Sequence, residues 1–108
     1  MEEDDVIRAL AALAHPMRLR VFRALVVVGA DGLTPGVMAD ALEATATSLS
    51  FHLKELAHAG LVTQEREGRN LIYRAAYERM NGVLSFLTEN CCAGAECAVG
   101  APSAACDC

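Results

Sequence analysis

The chain has 108 residues, a net charge of −5 and 54% hydrophobic residues, many of them alanine, with no tryptophan. That length predicts one domain with a modest core, and no apolar run approaches the ~20 residues that span a bilayer. The acidic balance argues against strong non-specific attachment to nucleic acid, and the MEEDD start has the wrong charge for a secretory leader, which places the chain in the cytoplasm.

Asp4 or Asp5 can cap a first helix over Val6 to Leu13, with Ile7, Leu10, Ala11 and Leu13 as its apolar stripe. His15-Pro16 breaks it, because the residue before proline avoids the helical region. Pro16 then opens a second helix to about Val28. Met17, Val21, Phe22, Leu25 and Val28 form its buried side, and Arg18, Arg20 and Arg23 mostly its wet side. Gly29 to Gly32 read as a turn. Thr34-Pro35 start a third helix, cap then first helical position, with Val37, Met38, Ala41 and Leu42 facing inward.

Glu43-Ala44 lead into the stretch TATSLSFHLKELAHAGLV, Thr45 to Val62. Thr45 is an N-cap, and Leu49, Leu53 and Leu56 line one face of a helix that Gly60 stops. The other face is read as Thr47, Ser48, Phe51, Lys54 and Glu55. Two short helices joined by so tight a turn form the helix-turn-helix pattern, whose second helix enters the DNA major groove. Taken by itself, the fourth helix reads equally well as an ordinary solvated one.

Leu61 to Arg66 and Leu71 to Arg74 are strand-like around a glycine-containing turn, which predicts a β-hairpin with Arg66 and Arg69 at its tip. Such a tip suits phosphate or minor-groove contact, and its plain alternative is a turn whose arginines keep a sheet edge soluble. Taken alone the hairpin reads better as the plain turn, but directly after a helix-turn-helix it reads as a wing, and the distribution of charge softens the objection that the net charge raises to a nucleic-acid partner. Seven of the fourteen acids lie near the two ends, and Ala46 to Arg74 holds four basic residues against three acidic ones. Tyr77 to Asn90 form a last helix, with Met80, Val83, Leu84 and Leu87 in a stripe and Phe86 beside it. With the core filled by the preceding helices, this helix is free for a partner, which predicts a homodimer through the first and last helices. Residues 1–90 are therefore the folded domain.

Residues 91–108 are mostly Ala, Gly, Ser, Pro and Cys, a composition that forms no packed structure without a ligand. All five cysteines of the chain fall there, and in a reducing compartment they point to metal or redox chemistry before structural disulfides. No nucleophile-and-base spacing, glycine-rich phosphate loop or paired-carboxylate motif stands out, so the chain does not read as an enzyme.

Three segments share a pattern. HPMRLRVFRAL resembles the second-helix signature of the ArsR/SmtB family of winged-helix metal- and metalloid-responsive repressors; SLSFHLKELAHAGLV resembles its recognition helix, and REGRNLIYR its wing. The resemblance covers Val6 to Leu87. It implies a mainly α winged helix-turn-helix with a small β-hairpin wing, a homodimer, and a repressor that binds operator DNA when empty and releases it when loaded. It further implies Thr47, Ser48, Ser50 and His52 at the reading end of the recognition helix, and Lys54, Arg66 and Arg69 as phosphate contacts. His52, flanked by Leu49 and Leu53, reads equally as a half-buried helix residue. His15 and His58 read as structural.

The chain departs from the family's commoner sensors. Its third helix has no cysteine, and its last helix has no histidine and only Glu78 and Glu89 as acids. Some family members instead carry adjacent cysteines after the last helix and a third shortly beyond, and Cys91, Cys92 and Cys97 resemble that set. Thiolates select soft ions. Arsenite, As(III), and antimony, Sb(III), favour three sulfurs in a pyramid, whereas methylarsenite needs only two, such as Cys91 and Cys92. Zinc would complete four ligands with Cys106 or Cys108, and a thiol redox switch would need two cysteines. Cys106 and Cys108 are otherwise auxiliary or idle. A cytoplasmic metal carrier could use the same thiols, but has no need for Thr45 to Arg74.

Overall fold

A computed structural model describes residues 1–90. The elements are α1 (Glu3–Leu13), α2 (Pro16–Val28), a single 3₁₀ turn (Gly29–Asp31), α3 (Pro35–Leu42), α4 (Ala46–His58), β1 (Val62–Glu67), β2 (Asn70–Ala75) and α5 (Tyr77–Thr88). Helix α4 packs on α1, α2, α3 and β1, and α2 meets α1, α3, α4 and β2. Its Leu49, Leu53 and Leu56 are fully buried, with Val21 and Leu25 of α2, Met38 of α3 and Leu61 beside them. Each such side chain contributes about 1.5–3 kcal/mol by leaving water.

The helix starts follow local chemistry. His15 caps α2, its Nδ1 accepting from the Met17 N–H at 3.2 Å, with Pro16 behind it. Thr34 and Thr45 cap α3 and α4, accepting from Val37 N–H at 3.4 Å and Ser48 N–H at 3.1 Å. Helix α1 differs from expectation. It begins at Glu3 with Glu2 at the cap position and no side-chain cap, so Asp4 and Asp5 lie inside its first turn, where negative charge complements the helix dipole.

The buried faces of three helices also differ. On α1 the core takes Val6, Ala9 and Ala12, while Ile7, Leu10 and Ala11 are exposed, because small residues let α1 approach its neighbours closely. On α3 Met38 is buried but Val37 and Ala41 are exposed, since eight residues offer only one contact stripe. Helix α5 ends at Thr88, not Asn90, and does have work in its own domain: Val83 is buried, and Tyr77, Met80 and Phe86 pack on the core. The Tyr77 hydroxyl donates to the Val26 carbonyl at 3.2 Å, tying α5 to α2. Leu84 and Leu87 stay exposed.

The hairpin pairs antiparallel from Val62↔Ala75 to Glu67↔Asn70, which leaves Gly68-Arg69 as a two-residue loop. Gly68 has φ +64°, a conformation that glycine adopts without steric cost. Leu33 adds a short third rung, exchanging backbone hydrogen bonds with Tyr73 at 3.0 and 2.8 Å. A Cβ on Gly32 would sit 2.7 Å from the Tyr73 carbonyl oxygen, so this close approach requires glycine. Among the described residues no helix is long and apolar enough to cross a membrane.

Candidate nucleic-acid interface

The turn between α3 and α4 is made by Glu43, whose φ of +54° is left-handed. The Ala44 N–H returns to the Ala39 carbonyl at 3.0 Å, and Thr45 then caps α4. With the back of α4 committed to Leu49, Leu53 and Leu56, its front is set by helical geometry: Thr47, Ser50, Phe51 and Lys54 are all exposed and follow the i, i+3, i+4, i+7 spacing of one face. Ser48 and Glu55 belong to the flank instead, half-buried, so the front is rotated from the sequence reading.

Of the two readings of His52, the inward-facing helix residue is the one found, and its place among the DNA-reading residues is corrected. It is 7% exposed and turned toward the start of α2. Its Nδ1 accepts from Arg18 Nε at 3.2 Å, and its ring lies 4.6 Å from that of His15 and 5.5 Å from that of Phe51. Burial first, then the nearby charges of His15 and Arg18, hold its pKa below the ordinary value of 6.5. A neutral imidazole accepting a hydrogen bond inside the domain joins helices and offers nothing to a base edge. The same row of contacts holds Phe51, which does lie on the front as the sequence predicts: the Arg18 guanidinium lies 5.6 Å from its ring centroid.

On the hairpin, Arg74 takes up the acids. It pairs with Glu65 at 2.8 Å and Glu67 at 3.6 Å, and its Nε donates to the Ala30 carbonyl at 2.7 Å. Arg66 and Arg69 are exposed and have no ion-pair partner among the described residues. Arg66 sits opposite Leu71, on the ribbon face whose Leu71 and Tyr73 look onto Pro35, Leu49 and Leu53. The free cation therefore shares the side of the recognition helix, and the acids point to the other side. This arrangement presents an exposed helix N-terminus and front beside a cationic ribbon, the shape that enters a major groove and reaches the adjoining backbone.

Comparison with known proteins agrees with this geometry. A helix-turn-helix domain model matches residues 13–65. The transcriptional regulator CmtR of Mycobacterium tuberculosis is 35% identical over 109 residues, covering 93% of this chain and 89% of that protein. The chain belongs to the ArsR/SmtB family. As a member it is a DNA-binding transcriptional regulator with a winged helix-turn-helix, α3 and α4 being the two motif helices and β1–β2 the wing. The homodimeric winged helix-turn-helix domain of a possible ArsR-family regulator from Mycobacterium bovis is 31% identical, with a TM-score of 0.62 over 81% of each chain. A protein described as a possible transcriptional regulator for arsenical resistance is 29% identical, with a TM-score of 0.63 over 73% of this chain and 79% of that one.

The inducer-binding candidates lie elsewhere. Cys91, Cys92, Cys97, Cys106 and Cys108 fall outside the described residues. Among the described residues no three His, Cys, Asp or Glu side chains come together as a metal site.

Proposed function

We propose that this ArsR/SmtB-family regulator is a homodimeric, cytoplasmic repressor of an arsenic-resistance operon, freed from its operator when trivalent arsenic or antimony binds Cys91, Cys92 and Cys97. The carrying observation is the donor set. Every cysteine of the chain lies in the last 18 residues, and among the described residues no competing cluster of His, Cys, Asp or Glu is assembled. A site of thiolates alone suits a thiophilic, trivalent ion better than a hard cation. The likeness to a possible regulator for arsenical resistance supports the same reading. Cys106 and Cys108 serve as auxiliary ligands, and methylarsenite would need only Cys91 and Cys92.

The dimer would form through α1 and α5. Ile7 and Leu10 on one and Leu84 and Leu87 on the other are exposed, and the two helices pack side by side. In the sequence the first thiol, Cys91, comes three residues after the end of α5. Two recognition helices must stand about one DNA turn, ~34 Å, apart to fill successive grooves. An inducer lowers operator affinity only by preferring the dimer arrangement that misses this spacing. A coupling of about 3 kcal/mol gives a loss on the order of 100-fold.

The test is operator binding of the full chain with and without arsenite, for wild type and Cys91→Ser, together with arsenic K-edge absorption of the loaded protein. Release by wild type alone, with three sulfur neighbours per arsenic, is expected. Release that survives Cys91→Ser, or a response to zinc with four sulfurs instead, refutes the assignment.

A further inference from the structure

Phe51 stands in the middle of the α4 front, between Thr47, Ser50 and Lys54, and is 54% exposed. It is the one large apolar side chain that α4 leaves in solvent, since the helix meets the core through Leu49, Leu53 and Leu56. The ring is nevertheless held. Arg18 lies over it at 5.6 Å and His52 meets it edge-on at 5.5 Å, while Arg18 is itself anchored by its hydrogen bond to His52. The start of α2 thus fixes an aromatic ring that the core does not use, on the face that enters DNA.

We propose that Phe51 reads sequence, packing its ring against the C5-methyl group of a thymine at a fixed position in each operator half-site. The inference rests on the operator-binding reading and adds a base to it. Thymine's methyl is the apolar feature among the groups that base pairs display in the major groove. Pressed instead on the amino group of cytosine or on N7 and O6 of guanine, the ring would strip water from polar atoms and return no hydrogen bond. Thr47 and Ser50 can donate to or accept from several bases, so their hydroxyls discriminate less. A ring already fixed by Arg18 and His52 loses little rotamer freedom on docking. Arg18 is a positioning residue in this scheme.

Selection from a random duplex pool by the full wild-type protein, repeated with Phe51→Ala and Arg18→Ala, tests this. Wild type should enrich thymine at one defined position per half-site. Replacing that thymine by deoxyuridine, which lacks only the methyl, should weaken binding about fourfold per half-site, the value of one buried methyl-sized group. Phe51→Ala should lose the preference at that position, ignore the uridine change and keep its preferences elsewhere. Arg18→Ala should shrink the same preference without altering the others. A Phe51→Ala profile identical to wild type, or no response of wild type to deoxyuridine, overturns the proposal and leaves operator binding intact. A wild-type protein that enriches no sequence overturns both together.

Discussion

Helices α1 and α4 carry the same exposed stripe with opposite chemistry. On α1 it is Ile7, Leu10 and Ala11, continued by the cap residue Ala14; on α4 it is Thr47, Ser50, Phe51 and Lys54, at identical spacing. The first is apolar throughout, and the neighbouring helix α5 also leaves two leucines, Leu84 and Leu87, exposed. The second sets one ring among hydroxyls and an ammonium group. Exposed apolar area alone does not name a partner; what surrounds it does. Exposed apolar side chains with no polar group among them suit another apolar surface, whereas a single ring among hydrogen-bonding groups suits a surface that is itself mostly polar.

The largest effect expected from this contrast is on assembly. Placing a charge on the apolar stripe, as Leu84→Asp with Ile7→Asp, should give a folded monomer by sedimentation. Operator affinity should fall by on the order of 100-fold or more, because two linked reading heads bind far more tightly than one. A double variant that remains dimeric would assign the dimer contact to another surface.

Next in size is the difference between front and back of α4 itself. Leu53, 1% exposed, should cost about 3 kcal/mol of stability as Leu53→Ala, through lost burial and a residual cavity. Phe51→Ala should stay within about 0.5 kcal/mol, since the ring is half in solvent. Chemical denaturation of the two variants compares them directly. Equal losses would mean that Phe51 is a core residue and that the front has been misassigned.

The smallest effect is acid sensitivity, and it should reside in the reading head. The α1 and α5 helices contain no histidine, whereas His52 links α4 to α2. Its pKa in the folded domain lies below the ordinary 6.5, so the unfolded chain binds the proton more readily. The contribution is complete above pH 6.5 and declines as the pH falls from there toward the folded value. His52→Gln, which retains an acceptor for Arg18, should flatten that part of the stability–pH profile. An unchanged slope would move the acid sensitivity to other groups.

Much of this was legible from the residues in order. The caps at Thr34 and Thr45, the proline starts, the Leu49–Leu53–Leu56 back of α4 and the glycine-containing hairpin are all local signals, governed by spacings of a few residues; of the two arginines expected at the hairpin tip only Arg69 is there, Arg66 lying within β1 opposite Leu71. The rotation of the α4 front was not, because propensity cannot say which of two adjacent stripes meets α2. Nor was the role of Arg74, whose partners Glu65 and Glu67 are matched to it only by strand register.

Taken alone, the sequence determined the order and type of the elements, the helix-turn-helix, and the gathering of every thiol at one end of the chain, because each depends on near neighbours. Only the tertiary structure decided that His52 is an internal strut rather than a contact for DNA, that α1 and α5 each keep one face for the core and another for solvent, and that Phe51 is pinned in the open. Those outcomes depend on which helix lies against which, and that is set by the packing of side chains far apart in the chain.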